Sequence, residues 1–336
     1  ERMRYGVGPF AEAAARGEES EALAKAAEHD IGVFRRIALL PCRELKNAIA
    51  ACLPESWGGA VQSLPEWQSR AEFDFNSVRQ FYRVNGAGMF ARYRAFTWNR
   101  SRLLPVEHPD FVPEEELWGY RLQRDKVVAN PRRLIEGRSV NNVLLFGDPG
   151  TGKSATVKAL LGMPGFENLR LIEVHKADLG DLGELIRMLA HRPQKFILFI
   201  DDLSFSSNDD NFAALKAILE GSVGGRARNI AVYATSNRRH LIKETLTDRT
   251  GDDIHEADTR QELMSLSARF GLTVTFQRPE KARFAAILEE LAKQHHIQMP
   301  MEELLVKAES FAIRAGGRSP RVAKQFIEQC ESGVQK

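Results

Sequence analysis

Long apolar runs are missing from this 336-residue chain. None approaches the roughly 18 residues that a membrane-spanning helix needs, so no membrane association is expected. Cysteine is scarce: Cys42, Cys52 and Cys330 are odd in number, lack metal-ligand spacing and read as reduced thiols of a cytoplasmic protein. The eight histidines show no paired spacing beyond His295-His296, which argues against a histidine metal centre or a histidine nucleophile. An excess of charge is also lacking. The net value of +2 gives no global field to draw the chain to nucleic acid or to a membrane surface. No cleavable signal pattern is visible, although a chain that begins at Glu1 leaves room for an upstream segment.

What is present is led by residues 141–154, NNVLLFGDPGTGKS. Val143, Leu144, Leu145 and Phe146 read as a buried parallel strand that breaks at Gly147 into a short Gly/Pro loop, after which Lys153-Ser154 opens a helical pattern. The spacing G-x-x-x-x-G-K-S is that of the phosphate-binding loop of nucleoside triphosphatases. Gly147, Gly150 and Gly152 let backbone N–H groups turn inward without a Cβ in the way, and the following helix points its positive end at the anion. Asp148, Pro149, Thr151 and Ala155 complete the expected cradle. Lys153 supplies a point charge for the β- and γ-phosphates, and Ser154 a hydroxyl for Mg2+.

At this length two domains are expected. Residues 1–110 look mainly helical, with an Ala/Glu-rich stretch and then a more apolar one punctuated by Pro41. Residues 77–102 carry six arginines and no acid, interleaved with Phe81, Tyr82, Phe90, Tyr93, Phe96 and Trp98. From Arg79 to Arg102 this segment fits either a nucleic-acid surface or two amphipathic helices with their aromatics in the core; the helices are favoured. Pro105, Pro109 and Pro113 form a stiff connector, the best domain boundary, which gives expected domains of 1–112, 113–277 and 278–336. From residue 141 strands and helices alternate, with strands at 169–174, 196–200, 229–235 and 272–276. That is a βα array and hence a parallel sheet covered on both faces, with ligands at the carboxyl ends of its strands. Three amphipathic helices over 279–332 read as a small lid.

The strand ends supply the expected chemistry. FILFIDD ends in Asp201, placed to hold Mg2+, and Asp202, placed to orient or deprotonate the attacking water. Asn237 lies just past strand 229–235, where an amide reaches a γ-phosphate or water without adding charge, or caps a helix. Arg269 ends a helix before strand 272–276, which suits either a finger into a neighbouring subunit's site or a partner for the helix dipole. Arg318 and Arg321 open the last lid helix. The string His175-Lys176-Ala177-Asp178 has His where a guanine reader has Asn, and it precedes the acid-bearing strand; GTP specificity is rejected.

On these residues the chain resembles AAA+ ATPases over about 113–332. More narrowly, it resembles a bacterial family of AAA+ ATP-binding proteins catalogued as a domain of unknown function. NNVLLFGDPGTGKS, RLIEVHKADLGDL, FILFIDDLSF, LKAILEG, YATSNRRHL, SLSARFGL and FYRVNGAGMFARYRAFTW carry the likeness. RFGLTVTFQRPEKARFAAIL, followed by a late arginine, is similar to the lid junction of bacterial replication initiators. The resemblance implies an α/β fold with a five-stranded parallel sheet of order 5-1-4-3-2, a C-terminal helical lid and a mainly α-helical N-terminal domain. It implies ATP and Mg2+ as ligands, a homo-oligomer such as a hexameric ring, and an unnamed client protein. Lys153 and Ser154 would be Walker A, Asp201 and Asp202 Walker B, Asn237 sensor 1, Arg269 the arginine finger and Arg321 sensor 2, with Leu117, Gly119 and Tyr120 lining the adenine pocket. Asp202 stands where most AAA+ proteins have Glu; it is one methylene shorter, and slow turnover is expected.

Overall fold

A computed structural model of the chain describes residues 3–66, 68, 70, 72–203, 210–220, 227–237 and 268–332. The ends of FILFIDDLSF, LKAILEG and YATSNRRHL and the start of SLSARFGL fall outside them. The chain divides into two compact units, residues 1–92 and 93–336. That division lies ahead of the proline-rich connector where the sequence suggested it.

The first unit is helical. Helices Met3–Arg16, Glu21–Ala38 and Phe75–Asn85 pack Phe10, Ala14 and Ala27 against Leu23, Phe75 and Tyr82. The third of them starts cleanly because Asp74 and Ser77 form a reciprocal capping box, Ser77 N–H donating to Asp74 Oδ1 at 2.7 Å. Arg79 and Arg83 on that helix both donate to Glu19, whose side chain is 5% exposed.

The second unit holds a seven-stranded sheet. Its strands are β1 (Ala95–Asn99), β2 (Arg102–Pro105), β3 (Val143–Gly147), β4 (Leu169–Val174), β5 (Lys195–Ile200), β6 (Ile230–Ser236) and β7 (Leu272–Phe276). They lie in the order β2-β1-β4-β5-β6-β3-β7, and every pairing is parallel except β1 with β2. This corrects the five-stranded sheet of order 5-1-4-3-2. The strands of the βα array lie side by side as β7-β3-β6-β5-β4, and β1 extends them by pairing Phe96 with Ile172 and Trp98 with Val174. The reading of residues 77–102 as two helices is corrected with it. Its first half is helix, but Phe96 and Trp98, 1% and 0% exposed, are inward residues of a strand. A tight hairpin returns the chain through Arg100 and Ser101, both at positive φ, into β2.

Both faces of the central strands are covered, as their unbroken apolar runs require. On one face Val143, Leu145, Ile197, Phe199, Tyr233 and Phe276 join Leu134, Val157 and Leu160 from the flanking helices. Three C-terminal helices, Lys281–Gln294, Met301–Arg314 and Pro320–Glu331, have a core of their own around Phe284, Leu288, Leu304, Phe326 and Ile327. No helix among the described residues is long and apolar enough to cross a membrane.

Candidate functional site: an anion loop between sheet and C-terminal helices

At the carboxyl end of β3 the chain turns through Gly147, Gly150 and Gly152 at φ 140°, 77° and 90°, conformations that L side chains rarely adopt. Space decides the matter at two of them. A Cβ on Gly147 would sit 2.0 Å from the Phe276 carbonyl oxygen, because β7 runs against β3 there, and one on Gly150 would sit 2.9 Å from Ser319 Oγ. The helix Lys153–Ala159 follows directly.

Lys153 is 6% exposed. Its ammonium donates to the carbonyl oxygens of Gly147 and Asp148, each at 2.8 Å, and to Asn237 Oδ1 at 2.9 Å. Burial pulls its pKa down to about 8, although Asp148, Asp201 and Asp202 pull the other way. A cation so held, with only dipoles for partners, is a socket for an anion.

The ends of β5 and β6 furnish the opposite wall. Ser154 Oγ donates to Asp201 Oδ1 at 2.6 Å, and Thr235 Oγ1 donates to the same oxygen. Asp202, at φ 51°, sends its N–H to Thr235 Oγ1 at 2.9 Å, while Asn237 Nδ2 donates to Asp202 Oδ1 at 2.8 Å. Asn237 therefore links Lys153 to Asp202. The donor set of one hydroxyl and one carboxylate suits a hard divalent cation whose other ligands come from phosphate and water. No cluster of three or more His, Cys, Asp or Glu able to hold a metal occurs among the described residues. Protein alone does not complete the shell.

The C-terminal helices close the third side. Arg278 N–H donates to Asp148 Oδ2 at 2.8 Å, and Arg321 N–H to the Gly150 carbonyl oxygen at 3.2 Å. Ser319 caps the last helix by accepting from Val322 N–H. Residues 117–120 bridge the two cores: Leu117 and Tyr120 pack in the sheet core, Trp118 in the helical one. Trp118 Nε1 donates to Gln294 Oε1 at 2.9 Å, and Lys324, paired to Glu116 at 3.0 Å, lies over its ring. Burial pushes the Tyr120 hydroxyl up to about 12, and that hydroxyl donates to the Gln277 carbonyl oxygen.

These walls enclose a cavity of about 550 Å³, the size of a nucleotide pocket. Of the residues expected from sequence, Leu117, Gly119, Tyr120, residues 149–155, Asp201, Asp202, Asn237 and Arg321 line it. Gly147 and Asp148 stand behind the loop as its hinge and its tie to Arg278. Arg269 is the last helical residue before β7 and does not line the cavity. Arg318 turns away to Glu309, at 2.8 Å. Sequence reasoning missed Trp118, Thr235, Arg278 and Lys324. Only the aromatic Trp118 beside Gly119 carried a signal that could have marked it.

A mostly parallel α/β sheet ending in a glycine-built anion loop defines a phosphate-loop protein. The family model described as "Protein of unknown function (DUF815)" matches residues 91–334, nearly the whole second unit, and the chain belongs to that family. No curated protein matches its sequence. Among solved structures, two mutant forms of Thermotoga maritima RuvB are similar in part. One is 15% identical with a TM-score of 0.42 over 65% of this chain, and the other 13% identical with 0.39 over 66%. The chain spans 63% of the length of the first and 72% of the second.

Proposed function

We propose that this chain is a Mg2+-dependent, ATP-binding and ATP-hydrolysing AAA+ protein, acting in the cytoplasm as a homo-oligomer on a client protein. The observation that carries the reading is the buried Lys153 ammonium, held by two backbone oxygens of a glycine loop and by Asn237 Oδ1 in a cavity that Asp201 also lines. Residues 113–277 act as the nucleotide-binding body and 278–336 as its lid, with the N-terminal helical unit left to engage the client.

In this reading Lys153 and the loop N–H groups take the β- and γ-phosphates, while Ser154 and Asp201 hold Mg2+. Bound there, Mg2+ neutralises charge on the phosphate oxygens. Asp202 and Asn237 position the attacking water. Arg321 reaches in from the lid, and Leu117, Gly119 and Tyr120 receive the base. Arg269, outside its own cavity, serves a neighbour's site.

A slow-turnover switch is the second reading, and a specific observation favours it: the short Asp202 carboxylate accepts from Asn237, which engages the group that would accept a proton from water. A nucleic-acid surface along residues 79–102 is weighed down by its own contacts. Arg79 and Arg83 hold Glu19, and Arg94 donates to the Phe166 carbonyl oxygen at 2.7 Å.

Steady-state ATPase assays over a protein dilution series test the proposal. Specific activity should rise steeply with protein concentration, and Arg269→Ala should lower turnover by about a thousandfold while nucleotide affinity stays unchanged. Normal turnover by Arg269→Ala would remove the shared-site assignment.

A further inference from the structure

We infer that Thr235 is a positioning residue of this site, whose side-chain hydroxyl sets the orientation of both Asp201 and Asp202 for a Mg2+-bound nucleotide. The inference rests on the ATP reading above and adds to it a residue of the cavity wall that the sequence did not mark.

The directions of the hydrogen bonds carry the case. Thr235 lines the cavity but is only 2% exposed, and its hydroxyl is engaged by protein groups on both sides. The Asp202 N–H, a group that can only donate, points at Thr235 Oγ1 from 2.9 Å. The single hydroxyl proton is therefore directed to Asp201 Oδ1, the oxygen that also accepts from Ser154 Oγ. Two hydroxyls fix one carboxylate oxygen from two elements, β6 and the phosphate-loop helix, and this sets the rotation of the group expected to face the metal.

The same residue clamps the turn that follows. Its carbonyl oxygen accepts from Leu203 N–H at 2.7 Å while its hydroxyl accepts from Asp202 N–H. Between these two bonds Asp202 holds φ 51°, a left-handed conformation uncommon for a residue with a side chain. That backbone presents the Asp202 carboxylate to Asn237 Nδ2. Removal of the hydroxyl leaves Leu203 bound and the strand intact; Asp201 Oδ1 is then held by Ser154 Oγ and by the Asp202 N–H at 3.2 Å, and Asp202 by Asn237, with the bond that ties the two acids to β6 lost.

The test uses the full chain with Thr235→Val, which keeps the volume and loses the hydroxyl, and Thr235→Ser, which keeps the hydroxyl. ATP binding is measured by calorimetry with and without Mg2+, and turnover across a Mg2+ titration. Thr235→Val should weaken the Mg2+-dependent part of ATP affinity and raise the half-saturating Mg2+ concentration, each by about tenfold, with Mg2+-free affinity within about twofold of wild type. Thr235→Ser should stay within about threefold of wild type in every measure. If Thr235→Val does not fold, Thr235→Ala carries the same expectation.

Wild-type Mg2+ dependence in the hydroxyl-free variant would overturn the inference, as would a Thr235→Ser protein impaired as severely as Thr235→Val. Either result leaves the ATP reading standing. A wild-type chain that binds no ATP overturns that reading and the inference together.

Discussion

Lys153 concentrates the physics of the site in one atom. Its ammonium is buried against carbonyl dipoles, and burial brings its pKa down to about 8 from an ordinary 10.5. Two consequences follow, of opposite sign. Above pH 8 the folded protein loses a proton that the unfolded chain keeps until about 10.5, so folding stability rises with pH across that window. Anion binding goes the other way, because the neutral amine offers no charge. ATP affinity measured by calorimetry should fall as pH climbs from 8 to 9.5, and Lys153→Arg, which stays charged, should show no such slope whatever its absolute affinity. A wild-type affinity flat across that range would contradict the environment described for Lys153. The sequence made this lysine legible because its neighbours are glycines, and glycine at that spacing has few other uses. Thr235 was illegible for the converse reason: a threonine in a strand reads as a β-branched packing residue, and nothing in the string YATSN says where its hydroxyl points.

Among elements, the strands of the βα array were read almost to their ends, since both-sided burial leaves long apolar runs such as FILFI. The pair β1–β2 was not. Arginines and aromatics alternating over RYRAFTW satisfy a helical and a strand period at once, and only the pairing with β4 decides between them. The connector 117–120 was read as one wall of a base pocket, yet its larger structural role is to join two cores. Leu117 and Tyr120 are anchored in the sheet and Trp118 in the C-terminal helices, and a side chain at Gly119 between them would meet Ile287, its Cβ 3.1 Å from Ile287 Cδ1. Trp118→Ala should therefore destabilise the C-terminal helical bundle by about 3–5 kcal/mol. The readout is a lowered denaturant midpoint with new proteolytic cleavage confined to residues 281–331. Cleavage spread evenly over the second unit would show that Trp118 is no such anchor.

At the scale of the whole molecule, the family match and the second compact unit almost coincide, and the first ninety residues lie outside both. The glycine loop and its cavity thus belong to the second unit alone, and the proposal leaves the choice of client to the first. Charge gave no guide to this division, because the arginine-rich stretch that suggested a nucleic-acid surface runs across the boundary and is engaged on both sides, by Glu19 before it and by the Phe166 carbonyl after it. If the loop at the end of β3 holds a triphosphate through Lys153, calorimetric titration of Mg2+-ATP into the full chain will show it. The wild-type protein should show one saturable site with affinity for ATP exceeding that for GTP, and Lys153→Ala should lose binding by at least about a hundredfold. Equal affinity of wild type and Lys153→Ala for Mg2+-ATP would contradict a triphosphate held through Lys153.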